Sequence, residues 1–212
     1  MTERVFWSEP YRSRLATTVD AVDGNAVRLV SSIFFAESGG QESDRGTIGG
    51  HLVEEARLMD HELVYALAGP HQLQPGDPVD VVIDWPRRYA LMRLHFAAEI
   101  VLEVATQSFG LTEKIGAHIG PERARIDFAT DQPVTPLLED LRAGAQHWVD
   151  ANAEIITGFD DAKRLRRYWL VEGLARVPCG GTHLRRTGEV GQLVLKRRNV
   201  GRGKERIEIA VR

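Results

Sequence analysis

Cysteine is nearly missing from this chain: among 212 residues Cys179 is the only one. That excludes an internal disulfide and suits a reducing compartment. Long apolar tracts are missing too, so nothing reads as a membrane-spanning helix and no membrane partner is expected. The opening Met1-Thr2-Glu3-Arg4 lacks the apolar run of a secretory signal, which makes the cytoplasm the expected location. There is no internal repeat and no low-complexity tract. No Ser-His-Asp set stands out either, since Ser38 and Ser43 lie in a loop with nothing to activate them. What is present is a globular composition, 43% hydrophobic, sufficient for one large core or two smaller ones.

Charge is unevenly spread. From Met1 to Asp84 there are 14 acidic and 6 basic residues, whereas Arg185 to Arg212 holds 9 basic and 3 acidic ones. One end of the chain is therefore suited to an anion such as nucleic acid, or else is a solvated hairpin.

The expected fold class is α+β. Residues 1–84 read as a small antiparallel β-barrel and residues 85–212 as an α+β domain. Arg14 to Val22 and Ala26 to Ile33 form a strand pair around Asp23-Gly24-Asn25, and Glu54 to Leu58 with Glu62 to Leu67 form a second. Val79 to Ile83 completes a set of short strands spaced as in a small barrel. Between the pairs lies a glycine-rich polar stretch, Phe34 to Gly46, whose glycines free the backbone for close approach to a ligand or a neighbouring domain. After Trp85-Pro86 the period changes: Leu91, Leu94, Ala98, Val101, Leu102 and Ala105 mark a long buried helix from Arg87 to about Phe109. Beyond it the pattern predicts strands at Lys114–Ile119 and Arg125–Phe128. Thr135-Pro136 opens a helix running to about Asn152, with a threonine N-cap and proline in the first turn. A strand at Glu154–Thr157 and a basic helix at Asp160–Trp169, holding Lys163, Arg164, Arg166 and Arg167, follow. A final hairpin pairs Gly191–Lys196 with Arg206–Val211.

Two pairs of residues carry the chemistry. His95 and Glu99 sit at i and i+4 on the long apolar helix, one above the other. Burying such a pair is costly unless something compensates it, and a metal ion would. Cys179 and His183 flank Gly180-Gly181-Thr182. Thiolate and imidazole are ligands zinc prefers, and the glycines let the loop bend both toward one ion. Either pair alone is more simply a buried thiol or a surface hydrogen bond. Together, one on a helix and one on a glycine loop, they predict a metal site at His95, Glu99, Cys179 and His183.

At these residues the chain resembles the free-standing alanyl-tRNA editing proteins, which are similar to the editing domain of alanyl-tRNA synthetase. The resemblance runs through Phe35-Ala36-Glu37-Ser38-Gly39-Gly40-Gln41 with Asp44 to Ile48, through Asp84 to His95, and from Arg123 through Ile126-Asp127-Phe128. Cys179-Gly180-Gly181-Thr182-His183 is its most specific part. The family's helix motif is H-x-x-x-H, and Glu99 stands here at the second histidine position. Glu99 then either completes the zinc site, or acts as general base on a water in the fourth position, or marks a site that has lost activity.

The resemblance implies a trans-editing hydrolase that deacylates mischarged tRNA-Ala at its acceptor end, most of all Ser-tRNA-Ala, with Zn2+ as cofactor. Two other readings stay open: a tRNA-binding module with a structural metal, and a zinc hydrolase of another small ester or amide. Candidate catalytic residues are Glu99 and Gln41. Ser38, Gly39, Gly40 and Thr182 are candidate substrate contacts. His118 contacts substrate or simply packs, and Arg197 and Arg198 are candidate phosphate contacts.

Overall fold

The computed structural model describes residues 1–161 and 166–212. Two compact units emerge: residues 1–38 with 42–89, and residues 39–41 with 90–212. In the first, β1 (Glu3–Arg4) and the short helix α1 (Val5–Ser8) precede β2 (Arg14–Asp23), β3 (Ala26–Leu29), β4 (Ser31–Ser32), β5 (Gly46–Ile48), β6 (His51–Met59), β7 (Glu62–Leu67) and β8 (Pro78–Ile83). The strands pair in the order β2-β3-β7-β6-β5-β8, and β8 returns to β2, so the six-stranded barrel is closed and leaves no sheet edge unpaired.

Alternation sets which residues face its core. Along β7, Leu63, Tyr65 and Leu67 are buried while Glu62, Val64 and Ala66 are only half-buried. The Tyr65 hydroxyl, fully buried, donates to Ser32 Oγ at 2.8 Å, so its polar end is not left unmatched.

The start of the long helix α2 (Trp85–Phe109) belongs to this unit. Here Arg88, fully buried, is paired with Asp44. Its Nε donates to Asp44 Oδ1 at 2.8 Å, and its Nη2 to the Ile33 carbonyl at 2.6 Å. Asp44 Oδ2 in turn accepts from the Phe35 amide at 2.7 Å. One ion pair thus fastens both ends of the loop that carries the glycine-rich motif to the first turn of α2.

The second unit contains the rest of α2, then β9 (Lys114–Ile119), β10 (Ala124–Ala129), a 3₁₀ turn at Thr135–Leu137, α3 (Leu138–Asp150), β11 (Ile156–Asp161), β12 (Arg166–Val171), β13 (Ala175–Pro178), a second 3₁₀ turn at Thr187–Val190, β14 (Leu193–Asn199) and β15 (Lys204–Val211). It holds a four-stranded sheet in the order β14-β15-β10-β9 and a three-stranded sheet in the order β11-β12-β13. Leu141, Ala145 and Val149, one face of α3, are buried, and Gln146 of that helix accepts from the Leu193 amide at 2.8 Å.

Several elements differ from expectation. The basic helix predicted over Asp160–Trp169 is instead the end of β11 and most of β12. Arg167, Trp169 and Val171 are buried at alternate positions, a period of two that charge clustering had obscured. Lys163 and Arg164 lie outside the described residues. The predicted threonine cap does not form. The chain enters α3 through the 3₁₀ turn, Val134 stands at its N-cap position, and no side chain caps it. β5 and β13 were not anticipated, being three and four residues long. The strand expected from Glu154 begins at Ile156, Glu154 making only an isolated bridge to Arg186.

Candidate metal centre

From Leu91 to Ala105 most side chains of α2 are buried, which keeps His95 inside the unit at 5% exposure. Glu99 stands one turn further on the same face. The other half of the centre follows β13. There the Cys179 amide donates to the Arg167 carbonyl at 2.9 Å, extending the pairing with β12 by one residue and fixing where the sulfur emerges. Gly180 and Gly181 then carry the chain to Thr182 and His183, both buried. A Cβ on Gly181 would lie 2.6 Å from His95 Cε1 and 2.8 Å from His95 Nε2, so only glycine lets this loop close on the helix.

One ligand atom each from His95, Cys179 and His183 gathers within 4.8 Å. His95 Nε2 is 3.3 Å from Cys179 Sγ. Glu99 reaches the same point: its Oε1 is 3.6 Å from His95 Nε2 and 3.7 Å from Cys179 Sγ. The second oxygen accepts from the indole N–H of Trp169 at 3.3 Å, which turns the first toward the cluster. A tetrahedral ion with bonds of about 2.0 Å to nitrogen or oxygen and about 2.3 Å to sulfur sets its ligand atoms roughly 3.3–3.6 Å apart. The three separations among His95 Nε2, Cys179 Sγ and Glu99 Oε1 agree with those values to about 0.3 Å.

Both ring nitrogens of His183, and Nδ1 of His95, are buried without a hydrogen-bond partner among the described residues. A metal ion would take the lone pair of one His183 nitrogen; the other, and His95 Nδ1 on the far side of the ring from the cluster-facing Nε2, would stay unmatched. A sulfur, two imidazoles and a carboxylate, with orphaned nitrogens, fit a metal ion.

The electrostatics agree. Burial lowers the His95 pKa, partly offset by Glu99. His183 is held well below the ordinary imidazole value by burial, then by His95 and Arg167. Both rings are thus biased to the neutral form that binds metals. The Cys179 thiol is pushed up to about 12 by burial and by the Glu99 carboxylate. Arg167, buried beside it, has its pKa lowered to about 10 by desolvation and stays cationic at neutral pH, with Nη1 donating to the Gly181 carbonyl at 3.1 Å.

Gln41 borders the cluster. Gly40, at φ +86°, packs so closely on β9 that a Cβ would lie 2.7 Å from the Ala117 carbonyl, and its own carbonyl accepts from the Ile119 amide at 2.7 Å. This brings Gln41 fully inside, where its Nε2 donates to Thr182 Oγ1 at 3.1 Å. Gln41 Oε1 is buried without a partner among the described residues, and it lies 3.0 Å from the point where a Gly181 Cβ would sit.

The predicted site residues thus separate. His95, Glu99, Cys179, His183, Thr182, Gly40 and Gln41 converge. Ser38 and Gly39 are exposed. His118 is exposed on β9, opposite Arg125 of β10. Arg197 and Arg198 point to opposite faces of β14, and each is paired with a carboxylate, Glu205 at 2.6 Å and Glu208 at 3.0 Å. Sequence reading missed Arg167 and Trp169; the alternation from Arg166 to Val171 was the available signal.

Comparison with known proteins places this geometry. Residues 175–208, which include the whole Cys179–His183 loop, match the threonyl and alanyl tRNA synthetase second additional domain. That segment is therefore similar to a domain found in aminoacyl-tRNA synthetases. It is 29% identical over 213 residues to the alanyl-tRNA editing protein AlaX-M of Pyrococcus horikoshii, covering 99% of this chain and 97% of that one. A second AlaX-M, from Saccharolobus solfataricus, is 28% identical over 238 residues and covered in full, as is this chain. The alanine–tRNA ligase of Methanothrix thermoacetophila is 31% identical over 235 residues, which take in 99% of this chain and 25% of the ligase. The chain is AlaX-like from end to end, and its resemblance is to the free-standing editing proteins.

Proposed function

We propose that this chain is a cytoplasmic aminoacyl-tRNA deacylase acting in trans on mischarged tRNA-Ala, with Ser-tRNA-Ala as its substrate and zinc as its metal. The observation that carries the reading is the meeting of Cys179, His183, His95 and Glu99 beside the unmatched Gln41 Oε1. His95, Cys179 and His183 would hold the ion, and Glu99 would stand at the fourth position, as a ligand or as the base to a water bound there. Trp169 keeps the Glu99 carboxylate turned inward, and Arg167 steadies the glycine loop through the Gly181 carbonyl. Zinc bound there supplies a Lewis acid for an ester carbonyl or a water molecule.

The ester linking an amino acid to the tRNA ribose is already activated. Hydrolysis needs water delivered to the carbonyl carbon and the ribose oxygen released with a proton, giving free amino acid and uncharged tRNA. Gln41 provides the selection. With its amide N–H₂ committed to Thr182, its carbonyl oxygen is left as an acceptor for a substrate hydroxyl. Serine satisfies that acceptor, whereas alanine would bury it unpaired. Hydroxyl recognition of this kind supports far better discrimination than a pocket that measures size alone.

The test is deacylation of tRNA-Ala charged with serine or alanine. Ser-tRNA-Ala is expected to be hydrolysed much faster, and Gln41→Ala to narrow the gap. Equal rates on both substrates in the wild type would sink the proposal, because such an enzyme would destroy correctly charged product.

A further inference from the structure

Away from the metal cluster, a cleft of about 370 Å³ opens on the outer face of the four-stranded sheet. Arg123, Lys196, Arg198 and Arg212 line it, with Glu122 and Glu208. Glu208 is already taken by Arg198 at 3.0 Å. Among the described residues neither Arg123 nor Lys196 is in an ion pair or a side-chain hydrogen bond, and both are exposed.

The register shows where their charges stand. Lys196 of β14 stands beside Glu208 of β15, and Ala124 of β10 stands beside Ile209. Continuing that register puts Arg123 next to Ala210. The two cations flank β15 from either side, two strand spacings across and two residues along, roughly 12 Å apart at the backbone. The floor between them is Ala210 together with Glu208, whose carboxylate Arg198 holds, so both long side chains can reach one anion above Ala210. The main-chain oxygen of Arg212 at the rim accepts from Arg93 Nη2 at 2.9 Å, and Arg93 lies two residues from His95 on α2. The cleft is thereby fastened to the helix that carries the metal ligands.

We propose that this cleft holds a phosphodiester of the tRNA substrate, with Arg123 and Lys196 as the phosphate-binding pair. The inference rests on the deacylase reading for the identity of the RNA. A cationic groove on a rigid sheet, a helix away from the reacting centre, positions the strand without reading its sequence. It also moves the expected phosphate contacts from Arg197, which Glu205 neutralises on the other face, to its neighbour Lys196.

Binding of uncharged tRNA-Ala is measured over a salt series for wild type, for Arg123→Glu/Lys196→Glu, and for Arg14→Glu/Arg142→Glu, which makes the same charge change elsewhere. The cleft variant should bind about tenfold or more weakly at 0.1 M salt. Its salt slope should fall by roughly 0.7–1.8, the contribution of one or two phosphates. Arg123→Gln/Lys196→Gln should move the same way by less, and metal content should stay at the wild-type level in every variant. If the cleft variant binds as the control pair does while the wild type binds and deacylates, this proposal fails alone. Wild-type protein that binds no tRNA-Ala overturns both it and the deacylase reading.

Discussion

Cys179 is the residue whose chemical state the centre must change. Its thiol, pushed up to about 12, is protonated at neutral pH, while His95 and His183, both lowered below the ordinary imidazole value, are already neutral. Metal uptake should therefore release one proton, from sulfur and not from either ring. The sign follows: losing a proton on binding makes affinity rise with pH, by about tenfold per unit from neutral pH until the thiol itself ionises, at about 12. Calorimetric titration with zinc in buffers of different ionisation enthalpy measures the count. A release near zero, or a release that survives Cys179→Ala, would contradict this assignment. At this scale the gathering of His95, Cys179 and His183 was legible, because residue type and spacing announce it. Trp169 was not: an indole says nothing in sequence about which carboxylate it will meet, and the hydrogen bond to Glu99 crosses 70 positions.

Among the elements, legibility followed length and period. The long helix, the paired strands of the barrel and the last hairpin could be read because apolar residues recur at a fixed interval over many positions. β5 and β13 are too short to show one. β12 was misread because Arg166 and Arg167 look like a solvated basic run, although Arg167 turns inward. The polar loop from Phe34 to Gly46 also had a structural reason that composition alone did not reveal. Its Asp44 is buried with Arg88, and that pair joins the loop to the start of α2. Removing one partner strands the other charge in a dry interior, so Asp44→Ala should cost about 3–5 kcal/mol of stability. Urea unfolding monitored by circular dichroism gives the value. A loss under about 1 kcal/mol, the range of an exposed pair, would mean that the loop is held by something else.

For the molecule as a whole, the metal is expected to act as a stabilising ligand of the second unit. An ion that binds the folded state at a thousand times its dissociation constant adds about 4 kcal/mol. In a chain of this size that corresponds to roughly 8–16 °C in melting midpoint. A strong chelator should lower the midpoint by that order in a calorimetric scan, and zinc should restore it; a midpoint indifferent to both would remove the ion from the fold. The order in which the centre is built has a further consequence. His95 and Cys179 are 84 positions apart, so no short stretch of the nascent chain can complete the cluster. Before the sheets form, only the two local pairs exist, each with two donors and the entropy of a long loop still to be overcome. The full donor set is complete only once β12 and β13 bring the glycine loop to α2. Zinc capture should then lag behind the appearance of secondary structure during refolding, and a chain arrested before that step would emerge complete in its helices yet unable to retain the ion.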